Sequence, residues 1–133
     1  MSLNIEGSLD TNIILRWIFG DVPSQTKITD KLINSGKNLR VSKLVIAEVV
    51  YILEAKGFTR REIFETLTRV LAQRDLYINR STVAPALNMY LENPGVSFVD
   101  ACLVFDARDH FAVPLYTFDK KLANKSNICK IPS

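Results

Sequence analysis

Short apolar runs alternate along the chain with longer segments whose apolar positions recur at helical spacing. Residues 5–9 read as a first strand, and a helix follows over about 12–19, stopped by Gly20 with Pro23 close behind. A second helix is expected over 25–34, closed by Gly36. "NLRVS" at 38–42 is a short strand, and Ser42 is placed to cap a helix over "KLVIAEVVYILEAK" that ends at Gly57. "TRREIFETLTRVLAQRD" opens with Thr59 and, three residues on, Glu62, the spacing of a capping box. After it come a strand at 76–79, a helix at 82–92 stopped by Asn93-Pro94-Gly95, and a helix opening at Ser97 through "SFVDACLVFDARDH". A strand "VPLYTF", a short helix "DKKLANK" and a last edge strand "ICKI" complete the order.

Strands that alternate with helices predict an α/β fold around a mainly parallel sheet covered on both faces. In such sheets ligands bind beyond the carboxyl ends of the strands. Asp10 falls at the end of the first strand and Asp119 just past a later one. The 133 residues show no repeat, linker or low-complexity tract, which predicts one domain over 1–133; Met1, Ser2 and Leu3 are set aside as a cloning remnant. The five glycines are all isolated, so neither a Walker A loop nor a dinucleotide-binding fingerprint is present. No apolar run is long enough to span a bilayer and no signal peptide is visible, which points to the cytoplasm and away from a membrane.

Two cysteines do not make a disulfide framework, and one histidine removes most zinc-site readings. What remains is a set of carboxylates at apolar positions. Asp10 interrupts "SLDTNIILR". Glu48 lies in "KLVIAEVVYIL", with Leu44, Val45, Tyr51 and Ile52 at its helical neighbour positions. Asp100 sits in "SFVDACLVF", a helix apolar almost all round and therefore expected to be buried. Asp119 follows "LYTF". Each has a plain structural alternative. Asp10 or Asp119 could cap a helix, Asp100 could be the acid of a capping box with Ser97, and Glu48 could pair with a basic side chain.

Taken together the four favour chemistry. Converging carboxylates repel one another unless a cation intervenes. All-oxygen ligands select a hard ion, Mg²⁺ or Mn²⁺, which keeps waters that can attack a phosphodiester. Net charge is +3, and setting the four acids aside leaves ten against 17 basic residues, a net +7 elsewhere. That surround suits a nucleic-acid backbone, with Lys43, Arg80, Lys120, Lys121 and Lys125 as candidate contacts.

Four segments, "SLDTNIILR", "SKLVIAEVVYIL", "SFVDACLVFDAR" and "LYTFDKKLAN", resemble in order and spacing the PIN-domain family, and are most similar to the VapC toxins of toxin–antitoxin pairs. The resemblance covers nearly the whole chain. It implies a PIN-like three-layer α/β sandwich and Mg²⁺- or Mn²⁺-dependent cleavage of single-stranded or looped RNA. It implies that Asp10, Glu48, Asp100 and Asp119 bind metal and carry catalysis, that Asn12 orders the acidic cluster, and that Thr117 is the hydroxyl before the last acid. It further implies a homodimer, a bacterial or archaeal source, and a cognate VapB-like antitoxin that threads into the active-site groove. The one departure is the less hydrophobic opening "NIEG".

Two rivals stand beside this reading. One is a non-catalytic PIN-like domain that binds RNA or protein, against which the presence of all four acids argues. The other is a Mg²⁺-dependent phosphotransfer domain, which needs an adjacent acidic pair or Asp-x-Asp that "LDTNI" does not supply.

Overall fold

A computed structural model describes residues 4–133, so the three residues set aside above lie outside the described ones. The chain divides into two compact units, the first ending at Asn79 and the second running from Arg80 to Ser133. The first unit contains β1 (Gly7–Ser8), α1 (Thr11–Phe19), α2 (Pro23–Ile33), β2 (Leu39–Arg40), α3 (Lys43–Ala55), α4 (Arg60–Leu71) and β3 (Leu76–Tyr77). The second contains α5 (Arg80–Glu92), α6 (Phe98–Asp109), β4 (Leu115–Tyr116), α7 (Lys120–Lys125) and β5 (Cys129–Lys130). This is the α/β class expected from the alternation, with every strand pair parallel.

In the first unit the sheet order is β1-β2-β3, with Gly7 opposite Leu39 and Leu39 opposite Leu76. The strands are shorter than the apolar runs suggested, but their hydrogen bonds continue past the ends. Leu9 N–H donates to the Arg40 carbonyl at 2.9 Å and Val41 N–H to that of Tyr77 at 3.0 Å. Gly7 suits this pairing, because a Cβ there would stand 3.3 Å from Leu39 Cδ2. α1 stops at Gly20, whose φ of +61° is left-handed and whose N–H caps the Arg16 carbonyl. α4 opens with the predicted capping box: Glu62 N–H donates to Thr59 Oγ1 and Thr59 N–H to Glu62 Oε1. It ends at Leu71, short of the expected 75, and the Asp75 carbonyl accepts the Leu39 N–H at the sheet.

α3 buries Ile46, Val49, Val50 and Leu53, one helical face. Leu44, Glu48 and Tyr51 lie on the opposite face. Leu44 is 81% and Tyr51 69% exposed. The apolar stripe around Glu48 is therefore real, but it is not the stripe that forms this unit's core.

In the second unit α5 packs on α6, with the Tyr90 and Phe98 rings edge to face at 6.0 Å. α5 carries Pro85 in its interior, which has no N–H to give the carbonyl four residues back, that of Ser81. Arg108 Nη2 of α6 donates to that carbonyl at 2.9 Å. α6 buries Phe98, Ala101, Val104 and Ala107 only. The expectation that it is buried all round is corrected: Val99 and Leu103 are exposed, because the small residues Ala101 and Ala107 supply the packing face. β4 and β5 pair Leu115 with Cys129 and Tyr116 with Lys130. Both cysteines are free thiols. Among the described residues no helix is long and apolar enough to cross a membrane.

Candidate functional site

Each unit holds two of the four acids. In the first, Asp10 adopts the extended backbone of an N-cap, and its Oδ1 accepts the Ile13 N–H at 3.1 Å. The plain capping alternative thus holds for Asp10, and it leaves Oδ2 uncommitted. Thr11, the first residue of α1, is buried and donates its hydroxyl to Glu48 Oε2 at 2.8 Å. Glu48 stands on the outward face of α3, so this bond fixes a carboxylate that would otherwise sweep through solvent. Among the described residues Glu48 has no basic partner.

Thr11 is the residue that sequence reasoning missed. The resemblance assigned the ordering role to Asn12, which is exposed and whose side chain makes no hydrogen bond among the described residues. The available signal was a hydroxyl residue directly after an N-cap, at a position that the helical period turns inward.

In the second unit Ser97 caps α6 by accepting the Asp100 N–H at 3.0 Å. Asp100 does not complete a capping box. No hydrogen bond reaches its carboxylate among the described residues, in contrast to Glu62 of α4. Asp119 caps α7: its Oδ1 accepts the Leu122 N–H at 3.1 Å, and its own N–H donates to Thr117 Oγ1 at 3.0 Å. Thr117 N–H is held in turn by the Lys130 carbonyl at 3.0 Å, which ties the approach to Asp119 into the β4–β5 ladder. The Cys129 thiol is pushed up first by its burial and further by the negative charges of Asp100 and Asp119, while a hydrogen bond with Ser126 opposes.

The donors are all oxygen, and every acid keeps at least one carboxylate oxygen that no hydrogen bond occupies. Such a set fits a hard divalent cation. Among the described residues no group of three His, Cys, Asp or Glu side chains forms a metal cage. Neither unit contains three of the four candidate acids.

Of the expected basic surround, the ammonium groups of Lys120, Lys121 and Lys125 make no ion pair or hydrogen bond among the described residues, and neither does that of Lys130. Lys43 and Arg80 are already engaged. A cleft of about 410 Å³ in the second unit is lined by Lys121, Asn124 and Lys125 together with residues Glu92 to Val96. A cleft of about 420 Å³ in the first unit is lined by Trp17, Ile18, Phe19, Phe58, Thr66, Arg69, Val70 and Gln73, and none of the four acids lines either cleft.

Comparison with curated proteins found no match. Comparison with protein families found the PIN domain over residues 8–128, a span that includes all four acids. PIN domains are generally nucleases that use divalent metals such as Mg²⁺.

Proposed function

We propose, since this chain belongs to the PIN-domain family, that it is a Mg²⁺- or Mn²⁺-dependent endoribonuclease and the toxin of a VapBC-type toxin–antitoxin pair. The observation that carries the reading is the state of the acids. Asp10 and Asp119 are held by N-cap bonds and Glu48 by Thr11, the Asp100 carboxylate carries no hydrogen bond among the described residues, and all four keep free carboxylate oxygens inside a family match that spans both units. That same span supports treating the two units as one PIN domain.

In this reading the four acids hold the metal. The bound cation supplies Lewis acidity toward the phosphoryl oxygen and an acidified water as nucleophile. The chain's own residues do the rest. The N-cap bonds fix Asp10 and Asp119, Thr11 holds Glu48 in one orientation, and Thr117 sets the backbone that presents Asp119. Lys120, Lys121 and Lys125 neutralise phosphates of the RNA.

The toxin reading adds partners. A VapB-like antitoxin is expected to insert an arginine or lysine among the acids, where a charge-assisted pair is strong. A homodimer and a cytoplasmic location complete the proposal.

The test is cleavage of a panel of single-stranded and looped RNAs. Cutting is expected with Mg²⁺ or Mn²⁺, none with EDTA, and little in Asp10→Asn or Asp100→Asn, since an amide binds a hard cation far less well. Full cleavage in EDTA refutes the mechanism. RNA binding with intact acids and no cutting under any divalent ion returns the chain to the non-catalytic alternative.

A further inference from the structure

Exposure alternates along the strand that leads to Asp119: Leu115 and Thr117 are half-buried, whereas Tyr116 is 62% and Phe118 82% exposed. Two aromatic rings thus stand outward immediately before the acid. Burying both would remove a large apolar area from water, yet the unit leaves them uncovered. Two cations stand beside them, together with the Asp119 carboxylate. Lys130 is the ladder partner of Tyr116, one strand spacing of roughly 4.8 Å away on the same face. Lys120 opens α7 directly after Asp119, and neither ammonium has a hydrogen bond or ion pair among the described residues.

Exposed aromatic rings interleaved with unpaired cations are the elements of a single-strand binding surface, where rings stack on bases and cations follow phosphates. Charge decides against a protein partner of ordinary composition, because unpaired ammonium groups beside the rings call for a polyanion. We propose that Tyr116 and Phe118 form a base-stacking platform for single-stranded RNA, with Lys130 and Lys120 on the flanking phosphates. The platform rests on the nuclease reading for its consequence. Phe118 and Asp119 are chain neighbours, about 3.8 Å apart at Cα, so a base stacked on Phe118 brings its own phosphates to the acid.

The experiment measures binding in EDTA of the full chain to a fluorescently labelled oligouridylate of about twelve nucleotides and to an abasic strand of the same length. Wild type should prefer the oligouridylate. Tyr116→Ala and Phe118→Ala should each weaken it about five- to hundredfold, with little effect on the abasic strand. Tyr116→Phe and Phe118→Tyr should restore binding, which separates the ring from any effect on folding. Lys130→Ala should lower the salt dependence, by about 0.7 in log–log slope for one phosphate contact.

Equal binding of the two strands by wild type, or alanine variants that bind as wild type does, overturns the platform. Alanine variants that change only the oligomeric state on size-exclusion chromatography also overturn it, and assign the rings to a protein interface. Aromatic-dependent binding by a wild type that cuts nothing with Mg²⁺ or Mn²⁺ upholds the platform and removes the nuclease reading. Normal cutting by alanine variants whose binding is unchanged does the reverse.

Discussion

Thr11→Val asks whether one hydroxyl sets the geometry of Glu48. Valine has the shape of threonine without the donor, so the 2.8 Å bond to Glu48 Oε2 is removed and the packing kept. A hydrogen bond to a charged group contributes about 1.5–3 kcal/mol when both partners are shielded. Here the donor is buried and the acceptor faces solvent, so water takes the vacated place and the loss falls to roughly 0.5–1 kcal/mol. A methyl in place of a hydroxyl at a buried site returns up to about 0.8 kcal/mol. Global stability should therefore change by less than about 1 kcal/mol. The larger effect is on Glu48, which regains rotamer freedom worth on the order of 1 kcal/mol. Spending that again on each turnover lowers the rate about fivefold. The assay pairs single-turnover RNA cleavage across a Mg²⁺ titration with urea unfolding of the same preparations. Thr11→Val should cut several-fold more slowly with a raised Mg²⁺ midpoint and a nearly unchanged unfolding curve, and Thr11→Ser should behave as wild type. A valine variant with wild-type rate and midpoint, or one whose activity falls only with its folded fraction, refutes the reasoning.

Asp100→Asn loses no capping bond and removes one of the negative charges of the proposed acidic centre, so without metal it should be at least as stable as wild type; Mg²⁺ at a hundred times its dissociation constant should stabilise wild type by about 2.7 kcal/mol in thermal unfolding and the variant hardly at all. Arg108→Ala should cost about 0.5–1 kcal/mol more beside Pro85 than in a Pro85→Ala background, where a helical N–H can meet the Ser81 carbonyl; a double-mutant cycle without coupling contradicts this. The Asp109 carboxyl is held below the usual aspartate range by hydrogen bonds from Thr82 and then Ser81, with Arg108 adding. Its contribution is full above the unfolded-state pKa and is lost as pH falls through the lower folded value, so urea midpoints should drop in acid for wild type and more shallowly for Asp109→Asn.

The sequence carried the helices well, because their ends are written in chemistry: Ser42, Thr59 and Ser97 are caps, and Gly20 is a stop. Strand lengths were harder to read. Apolar runs such as "VPLYTF" extend beyond the two residues that pair, since burial and ladder bonding are separate requirements. The orientation of α3 was hidden for a related reason. Two apolar stripes run along it, and only packing selects Ile46 and Leu53 over Leu44 and Tyr51. The acids were legible as anomalies. Their holding bonds were not, because a contact such as Thr11 to Glu48 joins residues far apart in the chain.

Asp10 and Asp119 each begin a helix as well as belonging to the proposed centre. Asparagine serves an N-cap about as well as aspartate, whereas alanine does not. The two substitutions therefore ask different questions: alanine removes a helix start together with a charge, and asparagine removes the charge alone. The same distinction bears on descent. Aspartate and asparagine codons differ by a single base, so a lineage can discard the negative charge at either position while its helices still start in the same place. Folded, inert descendants of such a chain lie one mutational step away, and they are available for any duty that uses the surface without the chemistry.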